Sequence, residues 1–313
     1  MKVIINFMKG LTATKKVLGM VLFLFIINLL FSLIASVPMY HSLKNSFGDS
    51  VVGEKMAQGF DYLWWQEYRD QSQGLEKTFT PSIIGKGALL NNLQGLVSFR
   101  FFRLPPSLLI LGLLYILLHA FLAGGILSTF MKESPQFRLK DFLKGAGAHF
   151  FRFFLLMLIS MVFFLITARF LRGGLNSILS HVRQNAFSEV TPFYLGLLFH
   201  ALILFFLLLI HMIFDYARIH VVIEESRNVI RSTLRAFGFV FTHLGSTLGL
   251  YYLLILISGA VSVIYIVVKG WIPQSAWPGV IFVFLIQQIF MFALIGIRCW
   301  LYSSQMELYR YLK

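Results

Sequence analysis

Acid is scarce in this chain. Its 313 residues hold 13 Asp and Glu against 27 Lys and Arg, a formal net charge of +14. Cysteine is nearly absent: the single Cys299 excludes an intrachain disulfide and any cysteine-based metal cluster. There is no Gly-x-x-x-x-Gly-Lys-Ser/Thr phosphate loop, no Rossmann glycine pattern, no Gly-x-Ser-x-Gly elbow and no His-Glu-x-x-His. These absences speak against nucleotide-driven chemistry and the common hydrolase and zinc sites. An enzyme built on sparse intramembrane Asp and His residues stays open. No soluble domain is visible in these residues either. The longest interval outside the apolar runs, residues 38–107, itself looks partly membrane-bound.

What the chain has instead is six long apolar runs: residues 17–37, 108–130, 150–170, 194–216, 245–268 and 277–300. Each is about 20 residues or more, enough at about 1.5 Å per residue to cross a hydrocarbon core about 30 Å thick. A backbone in lipid must satisfy its own hydrogen bonds, so each run is expected to be a helix. Hydrophobic residues make up 58% of the chain, more than a soluble fold can hide. The expected fold is all-α: one polytopic membrane domain over residues 1–313, with six transmembrane helices and amphipathic interfacial helices. The basic N-terminus before an apolar run looks like a signal peptide. The run is too long for one, so it is read as an uncleaved span, with the small residues at 32–36 the place where cleavage would fall.

Charge orients the spans. The N-terminal arm carries Lys2, Lys9, Lys15 and Lys16 without acid. The loop after the second run carries Lys132, Arg138, Lys140, Lys144 and Arg152 against Glu133 and Asp141. The loop after the fourth carries Arg218, Arg227, Arg231 and Arg235. The positive-inside rule then puts both termini in the cytoplasm and residues 40–104 outside it. The basic excess serves topology and anionic lipid headgroups, and no nucleic acid partner is expected.

A faint threefold repeat runs through the chain. Phe7-Met8-Lys9-Gly10, Phe142-Leu143-Lys144-Gly145 and Leu234-Arg235-Ala236-Phe237-Gly238 each precede an odd-numbered span. The unit reads as a surface helix that turns at its glycine into the bilayer, a span, an outer link and a second span. In the third copy Ile230, Leu234, Phe237 and Phe241 share a face, bordered by the row Arg227, Arg231 and Arg235. Glu224 joins that row, three residues before Arg227. In the second copy Lys140 and Lys144 flank Leu139, Phe142, Leu143, Ala146 and Phe150. Such helices suit the headgroup layer, with these basic residues reaching lipid phosphates. In the outer segment, Phe60, Tyr62, Trp64, Trp65 and Tyr68 suit the membrane–water boundary, and residues 81–102 suit an interfacial helix or a re-entrant piece.

Ionisable residues inside a membrane are costly and so are the first candidates for function. His200, His211 and Asp215 in the fourth run fall within about 60° on one helix face, His211 and Asp215 one turn apart. An Asp orienting a His is a pattern of proton relays, although the spacing matches no metal motif. No metal or other cofactor is expected. Gln287 and Arg298 share a face of the sixth run. Arg298 matches Asp215 in depth, so a salt bridge is expected. Gln288 lies beside Gln287, Tyr115 and His119 are one turn apart in the second run, Asn28 lies in the first, and Ser258 and Ser262 lie in the fifth. Together these residues form a polar seam, either a pathway or a set of structural bonds worth about 0.6 kcal/mol each. Ala123-Gly124-Gly125 reads as a close helix crossing.

The stretch Asp215-Tyr216-Ala217-Arg218-Ile219-His220-Val221-Val222-Ile223-Glu224-Glu225, followed by Val229, Arg231, Ser232 and Leu234-Arg235-Ala236-Phe237, resembles a segment of a bacterial six-span group. That group includes the membrane domain attached to some glycerophosphoryl diester phosphodiesterases. The stretch from Gly124-Gly125 to Lys140-Asp141-Phe142 is similar to the group's earlier cytoplasmic loop. The resemblance implies a six-helix bacterial inner-membrane protein with cytoplasmic amphipathic helices. It carries over no catalytic residue, because the phosphodiesterase chemistry belongs to a separate soluble domain. Residues 40–104 depart from the group's usually short loop.

Three functions fit. The first is a non-enzymatic scaffold or auxiliary subunit of a transport or envelope-assembly system, with membrane lipids and a membrane protein as partners. The second is a transporter or channel for a lipid-like or small amphiphilic molecule. The third is an intramembrane enzyme using the His/Asp face. A dry, packed interior favours the first; a cavity reaching His200 or His211 favours the others. Topology is tested with single cysteines in a Cys299→Ala background. A cysteine at Gln184 is expected to react with an impermeant thiol reagent outside spheroplasts, and one at Ser134 is expected to stay unlabelled; the reverse pattern would invert the orientation.

Overall fold

The computed structural model describes residues 2–48, 60–80, 105–186, 188–273 and 277–313. Residues 81–102, expected to form an interfacial or re-entrant piece, lie outside the described residues. The helices are α1 (Lys2–Lys16), α2 (Leu18–Phe47), α3 (Tyr62–Gln71), α4 (Pro106–Met131), α5 (Leu139–Asn185), α6 (Val190–Ile223), α7 (Val229–Thr242), α8 (Leu244–Trp271) and α9 (Trp277–Leu312). A short 3-10 turn covers Gly74–Thr78. Six of these helices, α2, α4, α5, α6, α8 and α9, are long and apolar enough to cross a membrane. The chain is an all-α polytopic protein.

Helix ends follow local chemistry. Pro106 opens α4, where its missing N–H costs nothing. The Asn228 side chain caps α7 by accepting from the Arg231 N–H, and Asp61 caps α3 through the N–H groups of Leu63 and Trp64. Several helices outrun the apolar stretches within them. α2 continues past Pro38 to Phe47. There α3 folds back on it: Trp64 stacks on Phe47, and the Tyr68 hydroxyl lies 2.9 Å from Ser42 Oγ. Trp64 and Tyr68 of the aromatic cluster are thus buried within the protein.

The threefold pattern survives in part, with a different turn. α1 breaks from α2 at Val17 (φ −117°, ψ 32°), and α7 breaks from α8 at His243 (φ −118°, ψ 34°). The two breaks share one backbone conformation, and neither is at a glycine. In the middle copy the surface stretch and the span form one uninterrupted helix, α5. Two of the three glycines serve close approach instead. A Cβ on Gly10 would collide with Ser304 of α9, and one on Gly145 would sit 2.5 Å from Ser128 of α4. Gly124 and Gly125 complete the α4–α5 crossing. A Cβ on Gly125 would lie 2.6 Å from the Phe142 ring, and one on Gly124 would lie 3.1 Å from the Ala146 carbonyl oxygen.

The core lies towards one end of the bundle. It gathers Val17, residues 20–24 of α2, 120–130 of α4, 142–156 of α5, 210–222 of α6, 229–240 of α7, 250–254 of α8 and 299–309 of α9. Beyond Leu24 in α2 and Leu254 in α8 no residue is buried, and before Cys299 in α9 only Val283 is. The packed end carries both termini and the surface helices. α1 turns Asn6, Gly10 and Thr14 inward and leaves Ile4, Ile5 and Met8 outside. Trp300 donates to the Phe7 carbonyl at 2.9 Å and fastens α1 to α9. α7 buries Ser232, Thr233, Ala236 and Val240, while Ile230, Leu234 and Phe241 face outward beside the exposed Arg227, Arg231 and Arg235. Lys140 and Lys144 are exposed on α5.

Glu224 does not join the arginine row. α6 ends at Ile223 and α7 begins at Val229, so Glu224 and Arg227 share no helix face. Glu224 pairs instead with Lys313 at the end of the chain. The hydrogen-bonding Lys313 ammonium holds its carboxyl below the usual glutamate range. That stabilisation is present at neutral pH and fades as pH falls through the lowered value.

The glycine packing gives a paired expectation. Gly125→Ala is expected to destabilise the protein by about 1–3 kcal/mol through overpacking against Phe142. Gly112→Ala, where nothing lies within 4 Å of the added carbon, is expected to be neutral or stabilising. Thermal unfolding in mild detergent compares the two. Equal effects would mean that α4 and α5 do not cross this closely.

Candidate functional site

Three α6 residues at spacings of four and three, His211, Asp215 and Arg218, fall on one helix face. Asp215 is completely buried. Its Oδ1 accepts from Arg218 Nη1 at 2.9 Å and from Arg298 Nη2 of α9, also at 2.9 Å. Tyr302, one turn beyond Arg298, accepts from Arg298 Nη2 at 2.8 Å, and its ring lies under the Arg298 guanidinium at 4.3 Å. His211 Nδ1 is 2.9 Å from the Tyr251 hydroxyl of α8 and 3.5 Å from Asp215 Oδ2. The second distance is too long for a good hydrogen bond, so Tyr251 is the stronger partner. The cluster ties α6, α8 and α9 together.

Two guanidiniums and one carboxylate leave this cluster with a net charge of +1. Both arginines spend their ionic bonds on one oxygen. Asp215 Oδ2 and Arg218 Nε are buried without a hydrogen-bond partner among the described residues. The positive side is also the accessible side. The Arg298 side chain is 34% exposed and that of Arg218 15%, while Asp215 has no exposed surface.

Both arginines face a cavity of about 540 Å³. Its polar lining is Asn28, Tyr115, His119, His211, Arg218, Arg298 and Tyr302; its apolar walls include Leu24, Ile126, Met157, Leu294 and Ile295. Five helices contribute. The cavity begins where the packed end of the bundle gives way to the open end: Leu24 is the last buried residue of α2, and Cys299 begins the buried stretch of α9. Farther out, Tyr115 donates to Asn28 Oδ1 at 3.0 Å, bridging α4 and α2, and the His119 ring packs edge-on against Tyr115.

The expected seam therefore forms in part. Asn28, Tyr115, His119, His211 and Arg298 line one cavity, and Asp215 stands behind the arginines. The expected Asp215–Arg298 bridge is present. His200 lies elsewhere, its Nδ1 2.6 Å from the Gly196 carbonyl of its own helix; Gln287 is exposed and Gln288 half-buried, both off the lining, and Ser262 donates to the Ser258 carbonyl within α8, also off the lining. Arg218 is the residue that sequence reasoning missed. It was counted as a loop charge, but α6 continues to Ile223 and keeps it on the Asp215 face. Its i+3 spacing from Asp215 was the available signal. Among the described residues no group of three or more His, Cys, Asp or Glu gathers to hold a metal. Comparison with protein-family models, curated proteins and solved structures finds no match to this chain.

The shared carboxylate makes the substitutions unequal. Asp215→Asn leaves two guanidiniums without a counter-charge and is expected to cost about 3 kcal/mol, the lower end for a broken buried pair, because the Arg298 side chain is partly exposed. Arg298→Gln leaves a balanced Asp215–Arg218 pair and is expected to cost less. Adding Arg298→Gln to Asp215→Asn is expected to recover part of the loss. Unfolding midpoints of the three variants check this, and strict additivity would mean that the residues do not meet.

Proposed function

We propose that this chain is a multi-pass protein of a bacterial inner membrane, with both termini cytoplasmic, and that its cavity binds an anionic amphiphile within the bilayer. The observation that carries the proposal is the accessible, net-positive arginine pair at the base of an apolar cavity. An uncompensated charge away from water is expensive, so an anion arriving there is favoured over a neutral or cationic molecule. The walls are apolar, as for a ligand with a hydrocarbon part. A cavity open towards the loose ends of spanning helices suits a molecule that moves between protein and lipid, as a transporter or carrier of amphiphiles requires.

The cavity weighs against a purely scaffolding role, for which a packed interior was expected. The enzyme reading has less support, because Asp215 lies behind the arginines and does not line the cavity. The surface helices support contact with anionic headgroups. Their outward apolar residues Ile230, Leu234 and Phe241 lie beside Arg227, Arg231 and Arg235, and Leu139 and Leu143 lie near Lys140 and Lys144. The orientation rests on loop charge. The bacterial inner membrane rests on the likeness to the six-span group.

A thiol probe tests the cavity's field. With Ile295→Cys in a Cys299→Ala background, a sulfonate-bearing methanethiosulfonate is expected to react at least about tenfold faster than a trimethylammonium one of similar size. Arg298→Gln or Arg218→Gln is expected to remove the preference. Equal rates with both arginines present would overturn the anion reading.

A further inference from the structure

We infer that the cavity accepts a single-chain, singly charged amphiphile, a long-chain carboxylate, and rejects two-chain phospholipids; the inference rests on the anion-binding reading above. Volume is the first ground. A space of about 540 Å³ lies within the range of about 300–1,000 Å³ typical of sites that take one drug-sized ligand. One carboxylate with a single hydrocarbon chain belongs to that size class. Two acyl chains with a glycerophosphate make a bulkier ligand than that.

Charge is the second ground. The cluster carries one surplus positive charge, which a carboxylate cancels and a doubly ionised phosphate ester overshoots. Shape agrees. Two guanidiniums already held on Asp215 Oδ1 sit side by side over one acceptor. A guanidinium has five N–H donors, so each arginine keeps donors for a second planar carboxylate.

The opening is the third ground. Asn28 and Tyr115 lie on the open side of Leu24 and His119, and their hydrogen bond ties α2 to α4 there. That bridge restricts the gap on this side of the cavity. The lining also includes Ile116, Met157, Met291 and Leu294. Unbranched methionine side chains adapt to a flexible chain.

The test uses the full chain in phosphatidylcholine nanodiscs with 11-(dansylamino)undecanoate as the reporter. Saturable dansyl enhancement is expected, displaced by tetradecanoate and not by tetradecanol or tetradecyltrimethylammonium. Arg298→Gln and Arg218→Gln are each expected to weaken reporter binding at least about tenfold. Ile295→Trp, which fills the cavity and leaves every charge in place, is expected to abolish it, so the inference does not depend on an arginine variant folding. Dioleoyl phosphatidate is expected to displace the reporter at least tenfold less well than tetradecanoate. If it displaces equally and in an arginine-dependent way, the single-chain inference fails while anion binding stands. If tetradecyl phosphate outcompetes tetradecanoate, the single-charge part fails. If tetradecanol displaces as well as tetradecanoate, or nothing binds, the anion-binding reading fails too.

Discussion

Asp215 is a carboxylate with no exposed surface, placed in a helix apolar enough to cross a membrane. Removing one such charge from water costs several kcal/mol even after relaxation. The fold tolerates it by bringing Arg218 from the same helix and Arg298 from α9 onto one oxygen, with Tyr302 supporting the second arginine. Arg298 reaches Asp215 only if α9 lies at one height against α6. The Tyr302, His211 and Tyr251 contacts extend the constraint to α8. Apolar packing alone sets no such register between spans, because lipid tails compete equally for an apolar face. The ion cluster does set it.

That register explains the uneven packing of the molecule. Around and below the cluster the helices are tight, with Gly124 and Gly125 admitting α5 and Gly10 admitting α9. Small polar residues do much of the work there: Asn6, Gly10 and Thr14 on α1, and Ser232 and Thr233 on α7. On the other side of the cluster the spans present Leu, Ile, Val and Phe outward. A helix end exposed in this way is stable only if lipid covers it. The loosely packed halves, apart from the α5–α6 contact at Ile203 and Leu207, are therefore covered by lipid, and the packed halves by one another.

The spans were legible because apolar length is a one-dimensional property that needs no tertiary knowledge. The pairing of Asp215 with Arg298 was legible for a similar reason: depth in a membrane can be counted along a helix. What could not be counted was where each helix stops. The row of basic residues hid the continuation of α6 to Ile223, and with it the role of Arg218. The same error placed Glu224 on the helix of Arg227, when a turn separates them. The glycines of the three repeat stretches, unlike Gly124 and Gly125, suggest turns from sequence because glycine punctuates soluble loops. In a bundle, the missing Cβ matters more for approach, as Gly145 against Ser128 illustrates. The actual breaks at Val17 and His243 carry no residue that announces them. His200 shows the limit of face counting. It shares a helix face with His211, yet it is exposed and off the cavity lining, because α5 packs on a different face of α6 there, through Leu179 at Gly196 and Leu171 and Leu175 at Ile203 and Leu207.

On the proposed reading, Asp215 has a second consequence. Two unpaired arginines in an apolar cavity would hold an anion very tightly, since each charge-assisted hydrogen bond contributes about 1.5–3 kcal/mol and water is scarce. A molecule held that way would not leave at a useful rate. With Asp215 Oδ1 already accepting from both arginines, an arriving anion meets guanidiniums that are oriented and half-neutralised. It gains the surplus charge and spares the arginines reorganisation, but it does not gain the full attraction of two cations. The carboxylate thus works in two ways at once. It fixes the positions of the arginines, which lowers the cost of binding, and it competes with the ligand for them, which keeps binding reversible. A scaffold would need only the first effect, and that is met by a single balanced pair. The extra arginine, turned towards the cavity, is what a protein that must both bind and release an anion requires.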